Sequence, residues 1–206
     1  MYRFPSYRDF FAQLKNWGFD AVELWGEGLD LRKEEVKTAL EDTGLPVSSI
    51  CPGGGGIRGS LLDEEAENRE RAAEDIEKLL GLGAEFGGAG VILVPQFGEK
   101  KFMALYPDHE DFEKKKEIFA ERLEPLASRA QRLGVPLLLE PLNRYETYFM
   151  LTLGQAAETC RMLDNPAVRV MADLFHMGIE ENDPVAALEE HGGYVKHVHL
   201  VDTNRR

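Results

Sequence analysis

The stretch LLLEPLNRYE, residues 137–146, sets an unbroken apolar run against a carboxylate. Leu137, Leu138 and Leu139 read as a buried strand. Pro141 cannot donate to a sheet ladder, so the strand is expected to stop at Glu140. A charge at the edge of an apolar interior is costly without a partner. Glu140 therefore marks a strand end where other polar groups should gather.

Outward from this stretch the same unit recurs: a helix, a small-residue stop, then a short apolar strand. Ser6 caps a helix with an apolar stripe of Phe10, Leu14 and Trp17 and a stop at Gly18, and the strand AVELW (21–25) follows. A second helix, near Leu31 to Thr43, stops at Gly44 before VSSIC (47–51). A third begins near Asp63, turns Ala66, Ala73, Ile76 and Leu80 to the core, and leads into GVILVP (90–95). A fourth spans about Asp111 to Leu133, with a kink expected at Pro125, and Gly134 ends it before the strand Pro136 to Glu140. A fifth, about Thr152 to Leu163, precedes VRVMAD (168–173). Asp183 and Pro184 open a short helix before YVKHVHL (194–200). Six strands joined by helices run parallel.

A doubly wound open sheet and a (β/α)8 barrel both fit this alternation. The glycine run PGGGGIRGS (52–60) lacks the Gly-Lys-Ser/Thr ending of a P-loop and the G-x-G-x-x-G spacing, so it reads as a flexible loop. The polar residues favour the barrel. Glu140, Asp173 and His199 all lie at or beside the C-terminal end of a strand, the rim on which barrel enzymes build their sites. The fold expected is a single TIM-barrel domain over 1–206, α/β in class, with six of eight strands and without the first and eighth. Its open seam, along Ala21 to Trp25 and Tyr194 to Leu200, should invite self-association into a homo-oligomer and leave little turnover.

Of the 206 residues, 43% are hydrophobic, enough for a real core. The formal net charge of −13 opposes phosphate backbones and anionic lipid, so neither nucleic acid nor membrane is expected as a partner. No run approaches the ~20 apolar residues of a membrane span, and MYRFPSYRDF carries no signal-like apolar stretch. The two cysteines, Cys51 and Cys160, form no framework and suit a reducing compartment, so a cytoplasmic protein is expected.

Two carboxylates and an imidazole on one rim suit a divalent cation: Mn²⁺ first, then Co²⁺ or Mg²⁺. Asp173 and His176 lie three apart, so both can face the pocket. His197 and His199 share a strand face, with His199 nearer the rim. Each residue alone has a plainer reading. Glu140 serves equally as an ion-paired strand end, His197 as a satisfied core histidine, and Glu23 as a buried hydrogen-bonder. The set is stronger than its members because one barrel edge explains all three.

LEPLNRYET (139–147), ADLFHMGIEEND (172–183) and HVHLVDTNR (197–205) together resemble the xylose-isomerase-like sugar isomerases and epimerases, most of all the ketose 3-epimerases. The resemblance implies metal-dependent epimerisation of a small sugar by proton transfer next to a ketose carbonyl, through an enediolate. It implies Glu140 as metal ligand and catalytic acid/base, and Asp173 and His199 as further ligands. Glu146, His176 and Arg205 would contact the sugar. The family completes its site with a further Glu on the eighth strand, which these 206 residues do not include, so either a fragment or a shortened, inactive relative is expected. Other reactions of the superfamily remain open, such as hydroxypyruvate isomerisation or inosose dehydration. So does an inactive metal- or sugar-binding relative. An endonuclease IV-type enzyme needs early histidines, and none precedes His109.

Overall fold

A computed structural model describes residues 5–96 and 109–201. Six strands form one parallel sheet in the order of the chain: β1 (Val22–Trp25), β2 (Val47–Cys51), β3 (Gly90–Leu93), β4 (Leu137–Leu139), β5 (Val168–Asp173) and β6 (Val195–His199). Between them run α1 (Tyr7–Asn16), α2 (Leu29–Thr43), α3 (Ala66–Glu85), α4 (His109–Leu133) and α5 (Leu153–Leu163). Two short helices, α6 (Leu174–Glu180) and α7 (Pro184–His191), separate β5 from β6. Neighbours in sequence are thus neighbours in space, and the sheet is a partial barrel of TIM type. No helix among the described residues is long and apolar enough to cross a membrane.

The helices start where the side chains can satisfy free N–H groups. Ser6 Oγ accepts from Asp9 N at the head of α1, and Thr152 with Gln155 forms a reciprocal capping box on α5. Asp183 accepts from Val185 N and Ala186 N, with Pro184 in the first turn of α7. Asp164, in the left-handed conformation, ends α5, and Gly44 does the same for α2.

The sheet divides the apolar residues into two sets. Val22, Leu24, Ile50, Val91, Leu93, Leu137, Leu139, Val168, Val170 and Ala172 face outward into the main core, against helical residues such as Phe11, Ile76, Leu80, Phe119, Leu123 and Ala156. The opposite parity points into the barrel, where Ile92, Leu138 and Met171 form a separate small cluster with Cys51 beside it. The same inward parity carries Glu23, Ser49, His197 and His199, which converge by hydrogen bonds across the interior.

Three sequence readings are corrected. The fully buried member of α1 is Phe11, with Phe10 and Leu14 packed beside it on the core, whereas Trp17 is exposed at the C-cap, beyond the last turn of the helix. In α3, Ala73, Ile76 and Leu80 face the core with Ala72 as the fully buried alanine, whereas Ala66 is exposed and the helix begins there rather than near Asp63. The strands β3 and β4 are also shorter than expected, because Pro95 and Pro136 flank them without an N–H.

The glycine run packs tightly against the end of β2. A Cβ on Gly56 would lie 1.9 Å from the Pro52 carbonyl oxygen, and Arg58 is held by a two-pronged ion pair to Asp75 on α3. The obstacle is backbone and cannot rotate away. Gly56→Ala is therefore expected to destabilise the chain by about 1–3 kcal/mol, the usual cost of overpacking. A lower urea midpoint with unchanged slope would show it.

Candidate active site and metal centre

Glu140 follows β4 directly, and its N–H still bonds to Leu93 O, so its side chain is delivered by the sheet rather than by a free loop. It is buried beside Asp173 and His176, and the donor atoms of these three lie within 4.8 Å of one another. Asp173 ends β5 and caps α6. Its Oδ1 accepts from Phe175 N at 2.7 Å, which leaves Oδ2 turned toward His199 Nδ1, 3.5 Å away. His199 ends β6 in register with Asp173.

The predicted trio Glu140, Asp173 and His199 is thus drawn together in two linked groups. Glu140, Asp173 and His176 form one, and Glu23, His197 and His199 form the other, with Asp173 and His199 as the join. Arg205, expected to touch the sugar, lies outside the described residues.

The two histidines nearest Glu140 play different parts. His176 Nδ1 accepts from the backbone N–H of Asn143 at 3.2 Å, with the Asn143 side-chain amide 2.7 Å away. A backbone N–H can only donate, so the ring keeps its proton on Nε2. Burial holds His176 below its ordinary pKa and hence neutral. Its Nε2 faces Glu140 Oε1 at 3.8 Å, so His176 offers the pocket a donor rather than a lone pair. His199 instead keeps Nδ1 toward Asp173.

Asn143 escaped the reading of the sequence, although LNRYE contains it. It is buried, its Oδ1 accepts from Tyr145 N at 2.9 Å, and its Nδ2 donates to Glu146 Oε1 at 2.9 Å. One amide therefore sets the loop and two of the three predicted sugar contacts, His176 and Glu146. The signal available was an Asn three residues before a Glu in a turn. Arg144 fastens the same loop to α6 through a two-pronged pair with Glu180, whose carboxylate is buried.

The electrostatics follow from this crowding. Burial, with the charges of Asp173, Glu23 and Glu146, pushes Glu140 up to about 8, although His199 opposes the rise. Hydrogen-bonding to Asp173 and Glu23 raises His199 to about 10 against the effect of burial. Burial alone would raise Asp173 and Glu23. Hydrogen bonds from His199 and from the α6 N–H groups hold Asp173 down instead, and His197, His199 and Ser49 hold Glu23 down. Buried carboxylates this close need a counter-charge. The mixed oxygen and nitrogen donors of the two groups, Glu140 with Asp173 and His176, and Glu23 with His197 and His199, are of a kind that could hold a divalent cation.

Comparison with known proteins gives a consistent picture. The model of a family described as xylose isomerase-like TIM barrel matches residues 11–206. The 3-dehydro-D-guloside 4-epimerase of Escherichia coli (strain K12) is 33% identical over 95% of this chain and 74% of its own length. The D-psicose 3-epimerase of Ruminiclostridium cellulolyticum is 24% identical over 98% of this chain and 68% of its own. Among solved structures, 3-keto-D-glucoside 4-epimerase from E. coli superposes with a TM-score of 0.85 at 32% identity, covering 97% of this chain and 75% of that one.

Proposed function

The chain belongs to the xylose isomerase-like TIM barrel family, whose matched relatives are epimerases by name, and from that premise we propose a divalent-metal-dependent sugar epimerase. The reaction is inversion at the carbon next to a ketone, with ketose 3-epimerisation as the first reading. The observation that carries it is Glu140, a buried carboxylate beside Asp173 and beneath a histidine that presents N–H. Mn²⁺ is the ion of choice. A divalent cation bound there would polarise the substrate carbonyl and its neighbouring hydroxyl.

The chain's own groups supply the rest. Glu140 removes the carbon-bound proton next to the carbonyl, with a pKa lifted toward the range useful for that task, and an acid on the opposite face of the sugar returns a proton to complete the inversion. His176 Nε2–H donates to a substrate oxygen, and Glu146, fixed by Asn143, accepts from a hydroxyl. Arg205 completes the grip on the sugar. Glu23 Oε2 is engaged by Ser49, His197 and His199, which favours a holding task for Glu23 over proton transfer. A cytoplasmic setting accords with the two free cysteines.

A second reading has an observation of its own: the 33%-identical relative is named as a 4-epimerase of a keto-glycoside. The chemistry is the same, since that carbon also adjoins a ketone. The test is incubation with Mn²⁺ in D₂O, using D-psicose in one series and a 3-ketoglucoside in the other. An epimer carrying deuterium at the inverted carbon supports the proposal and chooses the substrate. Absence of both epimer and exchange in both series would reject it.

Asn143→Ala frees His176 and Glu146 together. It is expected to raise KM for the accepted sugar about tenfold or more, because two hydroxyl contacts lose their alignment, each worth roughly 1 kcal/mol. Steady-state kinetics with the preferred substrate would measure it.

A further inference from the structure

Below the candidate centre, one oxygen joins the two ends of the sheet. Glu23 on β1 and His197 and His199 on β6 stand at opposite ends of the hydrogen-bonded strand order. Even so, Glu23 Oε2 lies 3.1 Å from Nε2 of each ring. Ser49 Oγ on β2 donates to the same oxygen at 2.6 Å. A carboxylate oxygen met by three donors is a fixed acceptor.

The two nitrogens of His199 therefore have separate tasks. Nε2 faces Glu23, while Nδ1 lies 3.5 Å from Asp173 Oδ2. An imidazole that binds an ion through one nitrogen is oriented by the acceptor that holds the other as N–H. Backbone register cannot do this alone, since the ring still rotates about its own bonds. His197 meets the same oxygen but pairs with Met171, one layer deeper than the Asp173–His199 level. It buttresses Glu23 and stays clear of Asp173.

We propose that Glu23 is a positioning residue, whose carboxylate takes the Nε2–H of His199 and so turns Nδ1 toward Asp173 and the ion. This rests on the proposed ion site at Glu140, Asp173 and His199. It assigns to Glu23 a task other than proton transfer to the sugar.

The test uses Mn²⁺ affinity, read from the electron paramagnetic resonance of free Mn²⁺, so that no turnover is needed. Glu23→Met keeps the length of the side chain without an acceptor, and it is expected to weaken Mn²⁺ binding about 10- to 100-fold. Glu23→Gln, whose amide oxygen still accepts, should recover most of that loss. His197→Gln leaves the Glu23–His199 contact in place and should shift affinity by less than about threefold. In the Mg²⁺-loaded protein, the ¹⁵N-coupled Nε2–H of His199 should exchange slowly with water, and rapidly in Glu23→Met. Wild-type affinity in a folded Glu23→Met overturns the proposal, as do equal losses in Glu23→Met and His197→Gln. If Glu23→Met does not fold, Glu23→Gln decides: near-parental affinity with a protected Nε2–H supports the proposal, and a 10-fold loss overturns it. Wild-type protein that binds Mn²⁺ but inverts no ketose rejects the epimerase reading and leaves this test standing. Wild-type protein that binds no Mn²⁺ overturns both.

Discussion

Glu140→Gln is expected to lower epimerisation turnover about a thousandfold while the fold stays intact. A side chain that moves a proton at the reacting carbon contributes on the order of 10²–10⁴ in rate, and glutamine can neither take nor return one. It also removes one charged donor from the ion. The substitution is otherwise mild, because Glu140 is raised to about 8 from an ordinary 4.5 and so already holds a proton at neutral pH in the ion-free protein. Glutamine copies that neutral state.

The linkage gives this prediction a second, independent readout. Between about 4.5 and about 8 the folded chain keeps the Glu140 proton and the unfolded chain releases it. The folded state then binds more protons, so this contribution to stability is lost as pH rises through that window. His199, raised from 6.5 to about 10, acts in the same direction at higher pH. Ion-free wild-type protein should thus become less stable on the alkaline side. The stability of Glu140→Gln relative to the parent should improve from pH 4.5 to 8. Urea titrations across that range would check it, and a constant difference would contradict the assigned environment.

The second large effect concerns Asp173, which has two jobs on two oxygens. Oδ1 caps α6, and Oδ2 faces His199. Asparagine caps a helix about as well as aspartate, so Asp173→Asn keeps the first job and loses the charge needed for the second. Mn²⁺ affinity is expected to fall a hundredfold or more, about 2.7 kcal/mol, while the ion-free protein loses only the stability of the Asp173–His199 pairing and keeps the cap. Asp173→Ala should lose both, with a further ~1 kcal/mol from the missing cap. Isothermal titration and thermal unfolding separate the two variants. Equal Mn²⁺ affinity in wild type and Asp173→Asn would remove Asp173 from the centre.

The sequence carried the sheet well, because each strand is a short apolar run bounded by residues with one physical meaning. Gly44 and Gly134 stop helices, and Pro136 and Pro141 bracket β4. Helix faces were harder. A shift of one residue exchanges Phe10 for Phe11 or Ala73 for Ala72 as the most buried position, and periodicity alone does not fix that phase. The helix α6 was hidden because its cap, Asp173, is also the last residue of a strand, and the two signals overlap.

In the candidate site, strand-end position was enough to place Glu140, Asp173 and His199 near one another. It could not show that His176 carries its proton on Nε2, since this depends on the backbone N–H of a residue 33 positions away. Nor could it show that Glu23 meets β6, because no local pattern records a contact between the first and last strands of the order. Asn143 was overlooked for a related reason: its function is to hold other side chains.

That cross-barrel contact also bears on the order in which the chain acquires its structure. Every backbone pairing in the sheet joins consecutive strands, so β1 to β6 can be laid down one unit at a time. The hydrogen bonds from His197 and His199 to Glu23 close over 174 and 176 residues of chain. Contacts so distant in sequence carry a large loop-closure entropy and form after the local ones. The ligand geometry is therefore the last part of the molecule to assemble and the first to come apart. In a chevron plot, a substitution at Glu23 should leave the refolding limb almost unmoved and lift the unfolding limb.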